Sequence, residues 1–208
     1  MAKVKFGLKN IHLFKLTETI SDQGEVEMSY GSAVAFPGAV NLTLSRESSD
    51  SSPFYADDSV WFTPAVAPTG YSGNLEMALL TDSVRTAFMN FIKDAKDTVV
   101  ELGSAPIVYF GMTCEFQTDT GMIKKVWYKC SFGSPDDGGS TTEDTTTPST
   151  TTIPITVVPT TKQYTYVDAG NVERTAPVIS AYATEESDAT VYANWHETPH
   201  LPDFEVES

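Results

Sequence analysis

The residues of this chain whose types could do chemistry are few: three histidines, two cysteines and several paired carboxylates. The most suggestive spacing is His196-Glu197-Thr198-Pro199-His200, which matches the H-E-x-x-H pattern of zinc hydrolases. That chemistry needs both imidazoles on one face of a helix, with the glutamate beside the metal-bound water. Pro199 lies inside the would-be turn. It has no N–H to give, and it pushes Thr198 out of helical space. Pro202 follows at once. The expectation is therefore no catalytic zinc, no structural metal and no other cofactor.

The other candidates are equally plain. His12 is the one remaining histidine, which leaves little for a histidine-dependent nucleophile. No Gly-rich phosphate loop is present. Asp57-Asp58 reads as a solvated loop pair. Cys114 and Cys130 fall on two runs of alternating apolar residues, Ala105–Gln117 and Met122–Phe132, joined by Asp119-Thr120-Gly121. A three-residue hairpin loop would pair Thr118 with Met122, Glu115 with Lys125, Cys114 with Val126 and Phe110 with Cys130. The cysteines would then sit four positions apart, roughly 13 Å at the usual strand rise. That separation forbids a disulfide, so both read as small core residues. An enzyme is not expected.

Composition narrows the classes further. The 208 residues suffice for one sizeable core, and 40 % are hydrophobic, which separates the chain from disordered sequences. Formal net charge is −15, a balance that repels nucleic acid. It is uneven: net −4 up to Gly133 and net −11 from Ser134 onward. No signal peptide is visible at the start. No apolar run approaches the roughly 20 residues of a membrane span. The chain is expected to stay inside the cell that makes it, with both cysteines reduced.

The elements that must position these residues follow from periodicity. Strands with one buried face are expected wherever apolar and polar residues alternate: Glu25–Tyr30, Val40–Ser45, Val60–Thr63 and Gly73–Leu79. Lys3–Thr19 is partly apolar on both faces, and Asp22-Gln23-Gly24 turns it into a hairpin. Between two of these strands lies a long polar excursion, Arg46–Pro53. Val84, Ala87, Phe88, Phe91, Ile92 and Ala95 fall on one helical stripe, predicting a helix near 81–96 capped by Thr81 or Asp82. Residues 1–133 read as the core, 134–152 as a Thr-rich loop or linker, and 153–208 as closing strands and an acidic arm of the same domain. Ile153–Val157 reads as an edge strand, Gln163–Val167 and Val178–Ala183 as short strands, and Thr190–Trp195 as the last apolar patch. One helix against a large antiparallel sheet is the expected architecture.

Laid out in this order, the sequence resembles the major tail (tail-tube) protein family of long, non-contractile-tailed phages of Gram-positive bacteria. The segments that carry the resemblance are FGLKNIHLFKLTE at 6–18, YGSAVAFPGAVNLTLS at 30–45, FYADDSVWFT at 54–63, GYSGNLEMALLTDSVR at 70–85 and TVYANWHETPHLP at 190–202. The ordered set carries the specificity, since no single motif is catalytic.

The resemblance implies a mainly β fold, an antiparallel β-sandwich with a flanking helix. It implies hexameric rings of the chain stacked into a tube that conducts phage DNA without specific binding. Partners would be other copies, a tail-tip or initiator complex and a tail terminator. The location would be the virion tail, assembled in the host cytoplasm, with no membrane contact. An acidic lumen would fit the net charge, since like charge lets DNA slide. Candidate lumen-facing residues are Asp57, Asp58, Glu76 and Glu115. Candidate inter-subunit contacts are Phe54, Tyr55 and Trp195. Two rivals remain: an adhesin-like extracellular β module, suggested by the Thr/Ser/Pro stretch, and a zinc hydrolase, resting on His196 alone.

Overall fold

The structure, a computed structural model, describes residues 4–49, 52–63, 67–138 and 149–204. Strands account for 53 % of it and helix for 6 %, so the fold is mainly β, as the alternation predicts. In chain order the elements are β1 (Lys5–Ile20), β2 (Val26–Tyr30), β3 (Val34–Ala35), β4 (Ala39–Ser48), β5 (Phe54–Ala56), β6 (Ser59–Phe62) and β7 (Pro68–Met77). Then come α1 (Asp82–Phe88), β8 (Phe91–Lys93), β9 (Val99–Glu101), β10 (Phe110–Thr118) and β11 (Gly121–Phe132). The chain closes with β12 (Thr151–Val157), β13 (Gln163–Val167), β14 (Glu173–Pro177), β15 (Ser180–Ala183) and α2 (Ala189–Ala193).

Nine strands form one antiparallel sheet in the order β2-β1-β10-β11-β12-β7-β4, with β3 beside β1 and β15 beside β11. In a flat sheet β1 and β4 would stand five spacings apart, roughly 24 Å. Instead they lie against each other and line one cavity. The sheet therefore curls over its own apolar face. Ile11 and Leu13 of β1, Phe110 and Met112 of β10, and Ile153 and Ile155 of β12 fill that interior. Leu75 and Met77 of β7 join them, with Val84 and Phe88 of α1. A second cluster seals the opposite face of β10–β11: Val126, Tyr128, Ala183 and Trp195, with Val191, Tyr192 and Leu201 packed around them. The closing segment thus straps the back of the sheet.

Several expectations change. The helix stops at Phe88, because Met89 is already extended (φ −125°, ψ 172°). Phe91 and Ile92 belong to β8, which forms a hairpin with β9. The Asp94 carboxylate accepts from the backbone N–H groups of Lys96 and Thr98, so a side chain that competes with helix hydrogen bonds makes a turn instead. Thr81 is the N-cap residue but makes no side-chain cap bond. Its hydroxyl pairs with Ser83.

The β10–β11 register also differs from expectation. The loop has two residues, so Thr118 pairs with Gly121, Glu115 with Lys124 and Cys114 with Lys125. A bulge between Phe110 and Met112 then restores Phe110 opposite Cys130. The extra residue on β11 lets Trp127 and Cys130, three apart, both reach the interior. Both cysteines are buried and free.

β12 is an interior strand and not an edge, lying between β11 and β7 despite Pro154. The Pro154 carbonyl accepts from Gly133 N–H. The missing N–H therefore faces β11, just past the last ladder pair Phe132–Ile155. Because β12 sits mid-sheet, the closing strands are part of the core. Of the Thr-rich stretch at 134–152, residues 139–148 lie outside the described residues.

Candidate functional site

His196 and His200 do not share a helix face. α2 ends at Ala193, and residues 194–197 form a turn. His196 Nε2 lies 3.0 Å from Glu115 Oε1, and its Nδ1 lies 2.8 Å from Thr113 Oγ1. Both ring nitrogens are therefore engaged within the chain. The His200 ring stacks on Trp195, with centroids 6.2 Å apart, and its carbonyl accepts from Tyr128 OH. No group of three or more metal-ligating side chains exists among the described residues. The H-E-x-x-H spacing is a strap, not a ligand set.

The hydroxyl–imidazole–carboxylate line Thr113–His196–Glu115 has the connectivity of a nucleophilic triad. Thr113 has no exposed surface, so its hydroxyl is closed to a substrate carbonyl. What the line does is hold the strap down. Glu115 also accepts from Asn10 Nδ2 at 2.7 Å, and Lys124 Nζ stands 3.6 Å from it. The His12 ring packs against His196 at 4.8 Å. Burial pushes the His196 imidazole below its ordinary range, against the pull of Glu115. We read it as neutral, with Nε2–H donating to the carboxylate. Burial would raise Glu115, but the bonds from Asn10 and His196 outweigh it and hold the carboxyl below the usual range.

Glu115 is thus a correction. At 7 % exposed, under the chain's own closing segment, it cannot face a channel. Trp195 is another: it is 2 % exposed and anchors the back cluster, so it is not a surface for another subunit. Glu76 on β7 is half-buried and accepts from Thr150 Oγ1 at 2.6 Å. Asp57 and Asp58 are exposed and form the two-residue turn between β5 and β6. Their φ values, 49° and 58°, make this the type I′ geometry that suits a tight hairpin.

That hairpin is the unusual surface of the molecule. It hangs beyond the Ser48–Pro68 end of the β4–β7 ladder as a two-stranded unit of its own. Phe54 and Tyr55 are 62 % exposed, Phe62 60 % and Trp61 71 %. The alternation at Val60–Thr63 predicts one buried face; instead all four residues are exposed, because no second layer among the described residues covers so short a ribbon. Sequence reasoning placed Phe54 and Tyr55 at a contact and missed Trp61 and Phe62. The signal was there: an Asp-Asp turn between two runs of three and four residues is too short to reach the main sheet.

No helix among the described residues is long and apolar enough to cross a membrane. No protein-family model, curated protein or solved structure matches the chain.

Proposed function

We propose that this chain is a structural subunit that polymerises with copies of itself, and that the polymer is a phage tail tube of stacked hexameric rings. The observation that carries the reading is the bare β5–β6 hairpin. Aromatic side chains this exposed, together on one protruding ribbon, are costly in water and mark an interaction surface. A protruding patch that meets a different patch on the next copy is a heterologous contact, and such contacts generate rings or open helical arrays. The net charge of −15 supports a conduit for DNA, since an acidic wall repels phosphate and leaves no salt-dependent hold on it. Asp57, Asp58 and Glu76 remain the candidates for that wall. A tail-tip complex would nucleate growth and a terminator would end it.

Negative-stain electron microscopy of the purified chain over a concentration series, with and without a tail-tip complex, tests this. Rings or hollow tubes are the expected result. A monodisperse monomer at every concentration, with the tip complex present, would overturn the reading.

A further inference from the structure

The curled sheet is not closed. Between β1 and β4 lies an open cavity of about 440 Å³. Among the described residues the strands that frame it have free edges: β4 pairs only with β7, and Lys5–Lys9 pairs only with β10. The lining mixes aliphatic and aromatic side chains with Asn41, free backbone edges and a basic rim, and it has no acidic residue, in a chain with 28 acidic and 13 basic residues. Lys5 Nζ sits 3.9 Å over the Phe116 ring, and Lys125 Nζ lies 5.0 Å from the Trp127 ring and 5.8 Å from the Tyr71 ring. Arg46 donates to Tyr71 OH at 3.0 Å, which places a third cation at the rim and lowers the Tyr71 pKa. None of these cations is in an ion pair among the described residues.

The β5–β6 hairpin is the complement of this groove. Its residues 52–63 carry aromatic side chains, two carboxylates at the tip and no basic group. It does not fill its own groove: Trp61 is 71 % exposed. The ladder that bears it also continues past Leu44 and Tyr71, which line the cavity, to Ser48 and Pro68. We propose that the groove between β1 and β4 is the receptor for the β5–β6 hairpin of a second copy of this chain. Phe54, Trp61 and Phe62 pack on its aliphatic and aromatic side chains, Leu42, Leu44, Tyr71 and Trp127 among them, and Asp57 and Asp58 meet Lys5 and Lys125. This rests on the self-assembly reading above and specifies its contact. It also assigns Asp57 and Asp58 to the interface and not to a channel wall.

Two broken chains and their mixture test the pairing. The first carries W61A/F62A, on a hairpin that pairs with no other strand among the described residues. The second carries K5E/K125E, which puts like charge opposite the tip. Sedimentation and electron microscopy read the species formed, and circular dichroism confirms that each variant folds. D57N/D58G is an additional hairpin variant that keeps the type I′ turn while removing its charge. Wild type associates; each variant needs at least about tenfold more protein to do so. The equimolar mixture stops at pairs, because one intact hairpin and one intact groove remain per pair. If the variants assemble like wild type, or the mixture behaves as each variant does alone, the hairpin–groove contact is wrong and self-assembly stands. If wild type never associates even with a tail-tip complex present, both readings fall.

Discussion

Two hairpins of this chain turn on two-residue loops and carry aromatic side chains, yet they end up in opposite environments. β10–β11 is covered on both faces, by the curled sheet on one side and by the closing strap on the other. β5–β6 is exposed along both strands but for half-buried Ala56. Local alternation is the same kind of signal in both, so the difference lies in what the rest of the chain supplies as a second layer. Burial in the first stabilises the subunit. Exposure in the second contributes nothing to the subunit's stability and gains value only when another surface covers it. The contrast separates residues that hold one copy together from residues available to hold copies to each other.

The sharpest way to break the comparison is to truncate one tryptophan from each region. Trp195→Ala removes the anchor of the back cluster and should cost about 3–5 kcal/mol in denaturant unfolding. Trp61→Ala should change subunit stability by less than about 0.5 kcal/mol and weaken association instead. Equal losses of stability would contradict the assignment.

A somewhat smaller effect is expected at Gly73, where β4 and β7 come together to carry the exposed hairpin. A Cβ there would lie 1.8 Å from the Thr43 carbonyl oxygen. Gly73→Ala should destabilise by about 1–3 kcal/mol through forced backbone shifts, read as a lower denaturant midpoint.

Acid should loosen the strap and leave the exposed hairpin alone. The folded chain holds His196 below its ordinary pKa, so the unfolded or unstrapped state binds the proton more readily. Stability is therefore full above about pH 6.5 and falls as pH drops through the window below that value. Protonated His196 would also face His12 and Lys124. Glu115, held low, adds a second loss further down, below the usual carboxylate range. His196→Gln should flatten the first window and narrow the second, since His196 is one of the groups that hold Glu115 low, as read by thermal melting against pH. An unchanged profile would show that the imidazole does not control the strap.

The smallest effect concerns metal. With both His196 nitrogens engaged and His200 stacked on Trp195, a chelator or added Zn²⁺ should leave the melting temperature unchanged. A clear shift with zinc would reopen the hydrolase reading.

Much of the architecture was legible in the sequence. The β1–β2 hairpin, the strand at Leu75 and Met77, the apolar face of β10 and the burial of both unpaired cysteines all follow from period and turn chemistry. What failed did so for identifiable reasons. The stripe through Phe91 and Ile92 is compatible with a helix, but the Asp94 turn and the β-branched run Thr98-Val99-Val100 favour a hairpin once tertiary contacts form. Pro154 suggests an edge, yet its missing N–H falls where the β11 ladder has already ended. Glu115 and Trp195 look like surface residues because nothing local announces that His196 will reach back to Glu115 or that Trp195 will pack on Val126 and Tyr128. The exposed hairpin was half legible: its turn and aromatics are in the sequence, but its lack of cover is a property of the whole fold.

One measurement addresses the central claim directly. The chain has three tryptophans, of which Trp127 and Trp195 are 3 % and 2 % exposed while Trp61 is 71 % exposed. Iodide quenching of tryptophan fluorescence therefore reports almost entirely on the β5–β6 hairpin. Across a concentration series, self-association through the hairpin predicts strong quenching in dilute protein and loss of quenching as particles grow, with a W61F control insensitive throughout. Assembled particles in which Trp61 stays fully quenchable would contradict the account, as would a chain that stays quenchable and monomeric at every concentration with a tail-tip complex present.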